Sequence, residues 1–294
     1  HNYMKYDVIV IGSGPGGYVA AIRAAQLGKK VAVVEKAEVG GVCLNWGCIP
    51  TKALLKSAQV FNYTKHAADY GVSIQGDVEA DLEEMVKRSR GVADGMSKGI
   101  QFLFNKNKIE QINGFGKVKP GKKVAVTDAD NKTTEYSADH IILATGARSK
   151  ELPALKQDGK KIIGYRDAMV LKEKPKKMVV VGSGAIGSEF AYFFNSIGVE
   201  VTLVEFLPNI VPLEDEDISK QLARSFKKAK MKIMLESSVE HVDTSGKTCK
   251  VTIKTKKGDV VEEADIVLSA VGISTNLEGI GLEWFFDIIA CPGL

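Results

Sequence analysis

The sequence predicts an α/β fold in two units built to one plan, and three observations carry that reading. Residues 8–35, VIVIGSGPGGYVAAIRAAQLGKKVAVVE, superimpose without a gap on residues 178–205, MVVVGSGAIGSEFAYFFNSIGVEVTLVE, at an offset of 170. Each copy sets a glycine-rich turn between a short apolar run and an apolar-rich helical segment, as a parallel strand covered on both faces and its crossover helix would require. Each copy then runs through a second apolar strand to an acid, with 23 residues from Gly12 to Glu35 and from Gly182 to Glu205. At 294 residues the chain is long enough for two domains with buried cores.

The turns read G-x-G-x-x-G, and each glycine answers a separate physical demand. Gly12 and Gly182 permit the tight turn, Gly14 and Gly184 let backbone approach a pyrophosphate, and Gly17 and Gly187 let helix pack closely on strand. The helix N-terminus that follows is an anion site. Glu35 and Glu205 stand where a carboxylate accepts from ribose hydroxyls. The pattern therefore predicts two Rossmann-like, three-layer dinucleotide-binding domains. At the second site the Glu205 charge would repel a 2′-phosphate, which favours NAD over NADP.

Between the copies, Asp81–Lys106 reads as a long helix whose Leu82, Met85, Val86, Ala93, Met96, Ile100 and Leu103 form a core stripe. Strands are expected over 108–112, 117–127 and 133–144, broken by PGKK and DADNK turns, and Leu152–Gly164 reads as the interdomain connection. After the second copy come a helix over Asp217–Lys230 and strands around Val239, over Cys249–Lys254 and over Val260–Val271. Gly258-Asp259 marks a turn. The expected domains are 4–150 and 151–274, with 275–294 as a truncated or aberrant tail.

Directly behind the first acid lies GGVCLNWGCIPTK, Gly40–Lys52, with Cys43 and Cys48 five residues apart at the opening of a helix. An undistorted helix would separate them by about 7.5 Å along its axis, beyond the span of a disulfide. Gly47 can supply the irregular turn that brings them together. A helix N-terminus favours the thiolate form of a cysteine, the form that attacks disulfides, so the pair reads as a redox couple. No metal site is expected, because Cys249 and Cys291 are isolated and His1, His66, His140 and His241 show no ligand spacing.

Composition narrows the remaining function classes. A balance of 40 basic against 36 acidic residues is too even for nucleic-acid binding, and the runs at 172–177, 227–232 and 254–257 are interrupted as solvated faces are. No apolar run approaches the length of a membrane span, and neither a leader nor a secreted disulfide framework is evident, so a cytoplasmic location is expected.

Taken together, the first fingerprint, GGVCLNWGCIPTK, the strand end Ala144-Thr145-Gly146 and GSGAIGSE at 182–189 resemble the class I flavin-dependent pyridine nucleotide-disulfide oxidoreductases over about Tyr6–Glu283. Asn45-Trp46 and Ile49-Pro50-Thr51-Lys52 are most similar to the dihydrolipoamide dehydrogenase branch. The resemblance implies FAD at the first site, with Glu35 on its ribose, Lys52 near the flavin ring, and Gly116, Thr145, Gly146 and Ala147 along the cofactor. It implies NAD at the second, held by Gly182, Gly184, Gly187, Glu189, Glu205, Val239 and Gly272. The implied reaction has a dihydrolipoamide thiolate attack Cys43 and release Cys48 beside the flavin, with electrons passing to FAD and then as hydride to NAD. The implied partners are the lipoyl domain of a 2-oxoacid dehydrogenase or glycine cleavage system and, for the complete protein, a second copy of itself.

Members of the family continue into a segment that completes the FAD domain and then a dimerisation domain carrying a His-Glu acid–base pair; neither is expected here. This chain alone is accordingly expected to lack lipoamide turnover, and its apolar tail beyond Glu283 to expose an aggregation-prone patch. Two alternatives stand beside this reading. A relative acting on glutathione or a metal ion would, if NADPH-dependent, want arginines near the second acid, and Val204-Glu205-Phe206-Leu207 offers none. A non-catalytic nucleotide-binding remnant would keep the folds without the chemistry.

Overall fold

A computed structural model describes residues 4–284. The chain packs into two compact units, one running to Ile49 and resuming over Arg90–Arg148 and from Ser274, the other comprising Pro50–Ser89 and Ser149–Ile273.

The elements that open the first repeat are β1 (Lys5–Ile11), α1 (Pro15–Gln26) and β2 (Val31–Glu35), followed by α2 (Gly41–Asn45) and α3 (Cys48–Lys65). All five residues of β2 are buried, as a strand covered on both faces must be. Pro15 occupies the first turn of α1, where its missing N–H is no loss. α4 (Leu82–Lys106) then leads to β3 (Glu110–Asn113), β4 (Phe115–Lys119), β5 (Lys123–Thr127), β6 (Thr133–Leu143) and the short β7 (Ala147–Ser149). Strand order is β3-β2-β1-β6-β5-β4, parallel through β3, β2, β1 and β6, with β4 and β5 antiparallel as the two turn signals predict. One core cluster, around Val10, Val33, Leu44, Ile100 and Phe104, fills one face of this sheet; a second, around Ile9, Val34, Val124 and Val126, fills the other.

The second repeat follows β8 (Ile162–Ile163) and α5 (Tyr165–Met169) as β9 (Lys177–Val181), α6 (Ala185–Ser196) and β10 (Glu200–Val204). Its register copies that of the first: Val8 pairs with Val31 as Met178 pairs with Val201, and Ile11 with Val34 as Val181 with Val204. α7 (Glu216–Lys228) is capped by the Asp215 carboxylate, which accepts from the Asp217 and Ile218 amides at 2.9 and 3.4 Å, and has lysines in its last turn. The remaining strands are β11 (Lys232–Met234), β12 (Ser238–Asp243), β13 (Cys249–Thr255), β14 (Gly258–Ala264), β15 (Ile266–Ser269) and β16 (Ile273–Thr275). A parallel sheet β11-β10-β9-β15-β8 faces an antiparallel sheet β12-β13-β14 across a core containing Val179, Val204, Val251, Ile253 and Val267. The α/β architecture with two dinucleotide-binding folds is thus present.

Three expectations change in detail. Val260–Val271 is not one strand but two, in different sheets: at Asp265 the chain turns, its carboxylate accepting from the Lys176 and Lys177 amides at 2.9 Å each. The turn before β14 falls on Lys256-Lys257, so Gly258, with φ +112°, already belongs to the strand. In α4, Met96 is exposed and Phe104 is buried instead, because the helix rotates its stripe over 25 residues away from a strict repeat.

Among the described residues no helix is long and apolar enough to cross a membrane. An open apolar groove of about 350 Å³ lies in the second unit, lined by Val60, Tyr63, Ala67, Tyr70, Val72 and Ile74. The apolar tail beyond Trp284 lies outside the described residues.

Candidate active site

Both fingerprint turns form at the carboxyl ends of their sheets, between the first strand and its helix. An added β-carbon on Gly12 would stand 2.1 Å from the Ala144 carbonyl oxygen and one on Gly182 2.2 Å from that of Ala270, with φ +102° and +95°. One on Gly17 or Gly187 would stand 1.8 or 1.9 Å from the carbonyl oxygen of Gly12 or Gly182. The middle glycines differ in kind: a side chain at Gly184 would meet nothing within 4 Å, and one at Gly14 only the Gly41 α-carbon at 3.9 Å. The first and third glycines are therefore required by the protein's own backbone, whereas the second leaves space. Over that space α1 and α6 present N-terminal amides with no side-chain cap and no acid in the first turn, an arrangement that suits a pyrophosphate. The residues present fit the dinucleotides that the sequence implies.

The acids close each site in the same way. Glu35 Oε2 accepts from the Ser13 amide at 2.9 Å and hydroxyl at 2.5 Å, and Oε1 from the Ala37 amide at 2.9 Å. Glu205 accepts from Ser183 at 2.9 and 2.6 Å and from the Leu207 amide at 2.8 Å. The likeness also extends to a third strand end. Ala144 donates to Ile11 and Ala270 to Val181 at 2.8 Å each, so Thr145-Gly146 and Val271-Gly272 reach corresponding edges, with φ +70° at Gly146 and +118° at Gly272. The sequence comparison missed this correspondence, because the offset there is 126 residues rather than 170.

The thiol loop is held against the first turn. The Gly40 amide donates to the Ser13 carbonyl at 3.1 Å, and a β-carbon on Gly41 would stand 2.7 Å from the Gly14 α-carbon. Buried Asn45 donates through its side-chain amide to the Val39 and Gly41 carbonyls at 2.9 Å each, and the Ser97 hydroxyl donates to Val39 at 2.5 Å. Trp46 donates to Glu38 at 3.3 Å and receives the Arg90 guanidinium 4.3 Å above its ring. α2 ends at Asn45 and α3 starts at Cys48, so the two cysteines lie on separate helices. The site of a β-carbon on Gly47 is 3.3 Å from the Cys43 α-carbon. The irregular turn expected at Gly47 is real, but its basis is this close approach rather than a left-handed φ. Cys43 is half-buried against the first core and Cys48 is exposed at the positive end of an 18-residue helix.

Lys52 lies one turn along α3 from Cys48, and its ammonium pairs with Glu189 of α6 at 2.6 Å. Asn62 donates to the Tyr192 and Ser196 hydroxyls at 3.4 and 3.3 Å, and Lys65 to the Ser196 carbonyl at 3.3 Å. Within the second unit α3 is therefore fastened along α6. Gly116 lies in β4, where a β-carbon would press at 3.1 Å on both Ile11 and Val34, and Val239 packs partly buried on the second unit's core. Ala147 opens β7, next to Arg148, whose guanidinium holds the returning chain through Thr275, Asn276 and Glu278; Thr145 and Asn276 exchange bonds at 2.8 and 3.0 Å. Sequence reasoning had no signal for that clasp.

Cys249 is fully buried on β13, and burial pushes its thiol above the ordinary range. Buried and with its thiol pKa raised, it should react with iodoacetamide at pH 8, once the chain is reduced, at least about tenfold more slowly than exposed Cys48. Peptide mass mapping of a time course reads both rates, and equal rates would contradict this assignment.

A family model described as pyridine nucleotide-disulphide oxidoreductase matches residues 6–286. The chain belongs to that family. It is similar to dihydrolipoyl dehydrogenases of Rhizobium etli, 45% identical over 95% of this chain and 61% of that protein, and of Chlorobaculum tepidum, 44% identical over 95% and 60%. The mitochondrial dihydrolipoyl dehydrogenase of Pisum sativum is 43% identical over 94% and 56%. Among solved structures, LpdA from Mycobacterium tuberculosis superimposes with a TM-score of 0.86 at 27% identity, over 95% of this chain and 61% of its own. The chain thus spans about three fifths of the length of these relatives. Membership of this family implies the use of FAD and a pyridine nucleotide.

Proposed function

We propose that residues 4–150 hold FAD and 151–274 hold NAD in a dihydrolipoamide dehydrogenase, and that this chain is its cofactor-binding and thiol-bearing part. The observation that carries the reading is the thiol loop: it is bound through the Gly40 amide to Ser13 of the first fingerprint turn, carries Cys43, and ends at Cys48, exposed at the start of α3.

Under this reading Gly12, Gly14, Gly17 and Glu35 hold the first dinucleotide with Gly116, Thr145, Gly146 and Ala147. Gly182, Gly184, Gly187, Glu189, Glu205, Val239 and Gly272 serve the second. Bound flavin and nicotinamide would supply the two-electron and hydride chemistry that no side chain here can perform. The cysteines do the sulfur exchange. A thiolate of the substrate dithiol attacks Cys43 of the oxidised pair, the Cys43–Cys48 bond breaks, and Cys48 leaves as a thiolate. The second substrate thiolate then displaces Cys43, so the substrate closes its disulfide and the two electrons remain on the cysteine pair. Lys52 lies on the same face of α3 as Cys48, its ammonium paired with Glu189. The lipoyl domain is the proposed partner, a homodimer the proposed assembly of the complete protein, and the reducing cytoplasm a setting that suits the thiol pair.

Purified chain should carry yellow FAD, and one equivalent of a dithiol should raise a long-wavelength absorbance band that is lost in Cys48→Ser. A chain that stays colourless after incubation with FAD would overturn the proposal. So would a band retained without Cys48.

A further inference from the structure

We propose that the second residue of each fingerprint, Ser13 and Ser183, is a positioning residue that holds the ribose-binding carboxylate in one orientation and so sets nucleotide selectivity. The inference rests on the reading of Glu35 and Glu205 given above and adds a residue to it.

The geometry occurs twice. Ser13 and Ser183 are fully buried, and each gives both its amide and its hydroxyl to a single carboxylate oxygen, Oε2, of an acid 22 residues away. The other oxygen, Oε1, takes one amide, from Ala37 or Leu207. A carboxylate offers about four lone-pair positions. Two on Oε2 and one on Oε1 are thus filled from the protein, and one acceptor position remains, on Oε1. A glutamate held through one oxygen could swing; one held through both, with two donors converging on Oε2, presents Oε1 alone. The acid can then accept one ribose hydroxyl at a fixed point and cannot withdraw from a phosphate placed there.

The serines are themselves fixed by the chain around them. The Ser183 carbonyl accepts from the Val211 amide and the Ser188 hydroxyl at 2.9 Å each. Ser13 accepts from the Gly40 amide at its carbonyl and, at 3.3 Å, at its hydroxyl, so in the first copy the orienting group is also tied to the thiol loop. What the two copies share is the hydroxyl and its single acceptor.

The test uses the whole chain and reads the dissociation constants of NADH and NADPH by fluorescence. Ser183→Ala should weaken NADH about fivefold while changing NADPH less than twofold, so that the preference for NADH falls by several-fold. In the background of Glu205→Gln the same serine substitution should have no further effect on NADH, since the serine acts through that acid. If the alanine variant does not fold, Ser183→Cys carries the test: it keeps the volume and replaces a strong donor with a weak one, and should move the ratio in the same direction. An equal loss for both nucleotides, an unchanged ratio, or a full effect in the Glu205→Gln background would overturn the proposal. Wild-type chain that binds neither nucleotide would remove the cofactor reading and this inference with it. Wild-type binding with an unaltered ratio in the variants would remove the inference alone.

Discussion

Gly187→Ala should lower the melting temperature by about 5–10 °C, whereas Gly184→Ala, three residues away in the same turn, should leave it within about 2 °C and weaken NADH binding at least tenfold. The contrast follows from what each missing methyl would touch. At Gly187 it would lie 1.9 Å from a backbone oxygen that belongs to the turn itself, so α6 must separate from β9 or the turn must open. Overpacking of this kind costs roughly 1–3 kcal/mol, with the backbone clash placing it at the upper end, and for a domain of this size about 1 kcal/mol corresponds to 2–4 °C. At Gly184 there is nothing within 4 Å and φ is −63°, which alanine adopts freely. The methyl would instead enter the space above the α6 amides. Gly17→Ala and Gly14→Ala should repeat the division at the first site, with retained FAD as the readout. Calorimetry paired with nucleotide titration decides the matter: a stable Gly187→Ala variant, or a Gly184→Ala variant with unaltered affinity, would show that the glycine roles have been exchanged.

Gly47→Val should prevent Cys43 and Cys48 from joining. The position where its β-carbon would sit is already 3.0 Å from the Val42 carbonyl oxygen and 3.3 Å from the Cys43 α-carbon. Alanine demands a shift of a few tenths of an ångström, and the two further methyls of valine push the start of α3 away from α2. A disulfide tolerates only a narrow range of α-carbon separation. A strain of about 1.4 kcal/mol is enough to shift the dithiol–disulfide equilibrium tenfold. The ratio of oxidised to reduced chain at a fixed redox buffer, read by the two-dalton mass difference of the linking peptide, should therefore fall about tenfold or more. Oxidation of the valine variant to the wild-type extent would sink the idea that Gly47 exists to bring the sulfurs together.

Much of this architecture is legible in the sequence, because a parallel strand, its crossover helix and the next strand leave a local and periodic record. The repeat locates β1, α1 and β2, and again β9, α6 and β10, and the shared strand register shows that the likeness is three-dimensional. The opening of a helix at the cysteine pair was also readable, though not the break that puts Cys43 on α2 and Cys48 on α3. Long-range closure was not. Asp265 divides one apolar run between two sheets by capping backbone amides almost 90 residues earlier, and nothing local marks it. Nor does the sequence around Arg148 announce that Asn276 and Glu278 will come back to it. Ser13 and Ser183 sat in plain view as the variable position of a motif, and only their hydrogen bonds give them a task.

The return of the chain to Arg148 bears on how the protein comes apart. Lys150 donates to the Gly272 carbonyl at 2.9 Å, so a stretch of more than a hundred residues begins and ends at one point. Beyond that point Thr145, Gly146 and Arg148 grip the outgoing segment, and Val118 donates to Ile280 at 2.8 Å. The stretch is therefore a closed ring with a pinned neck. Opening of the ring's strands breaks none of these bonds, so amide exchange around Val118 and Ile280 should stay slow while strands of the ring open.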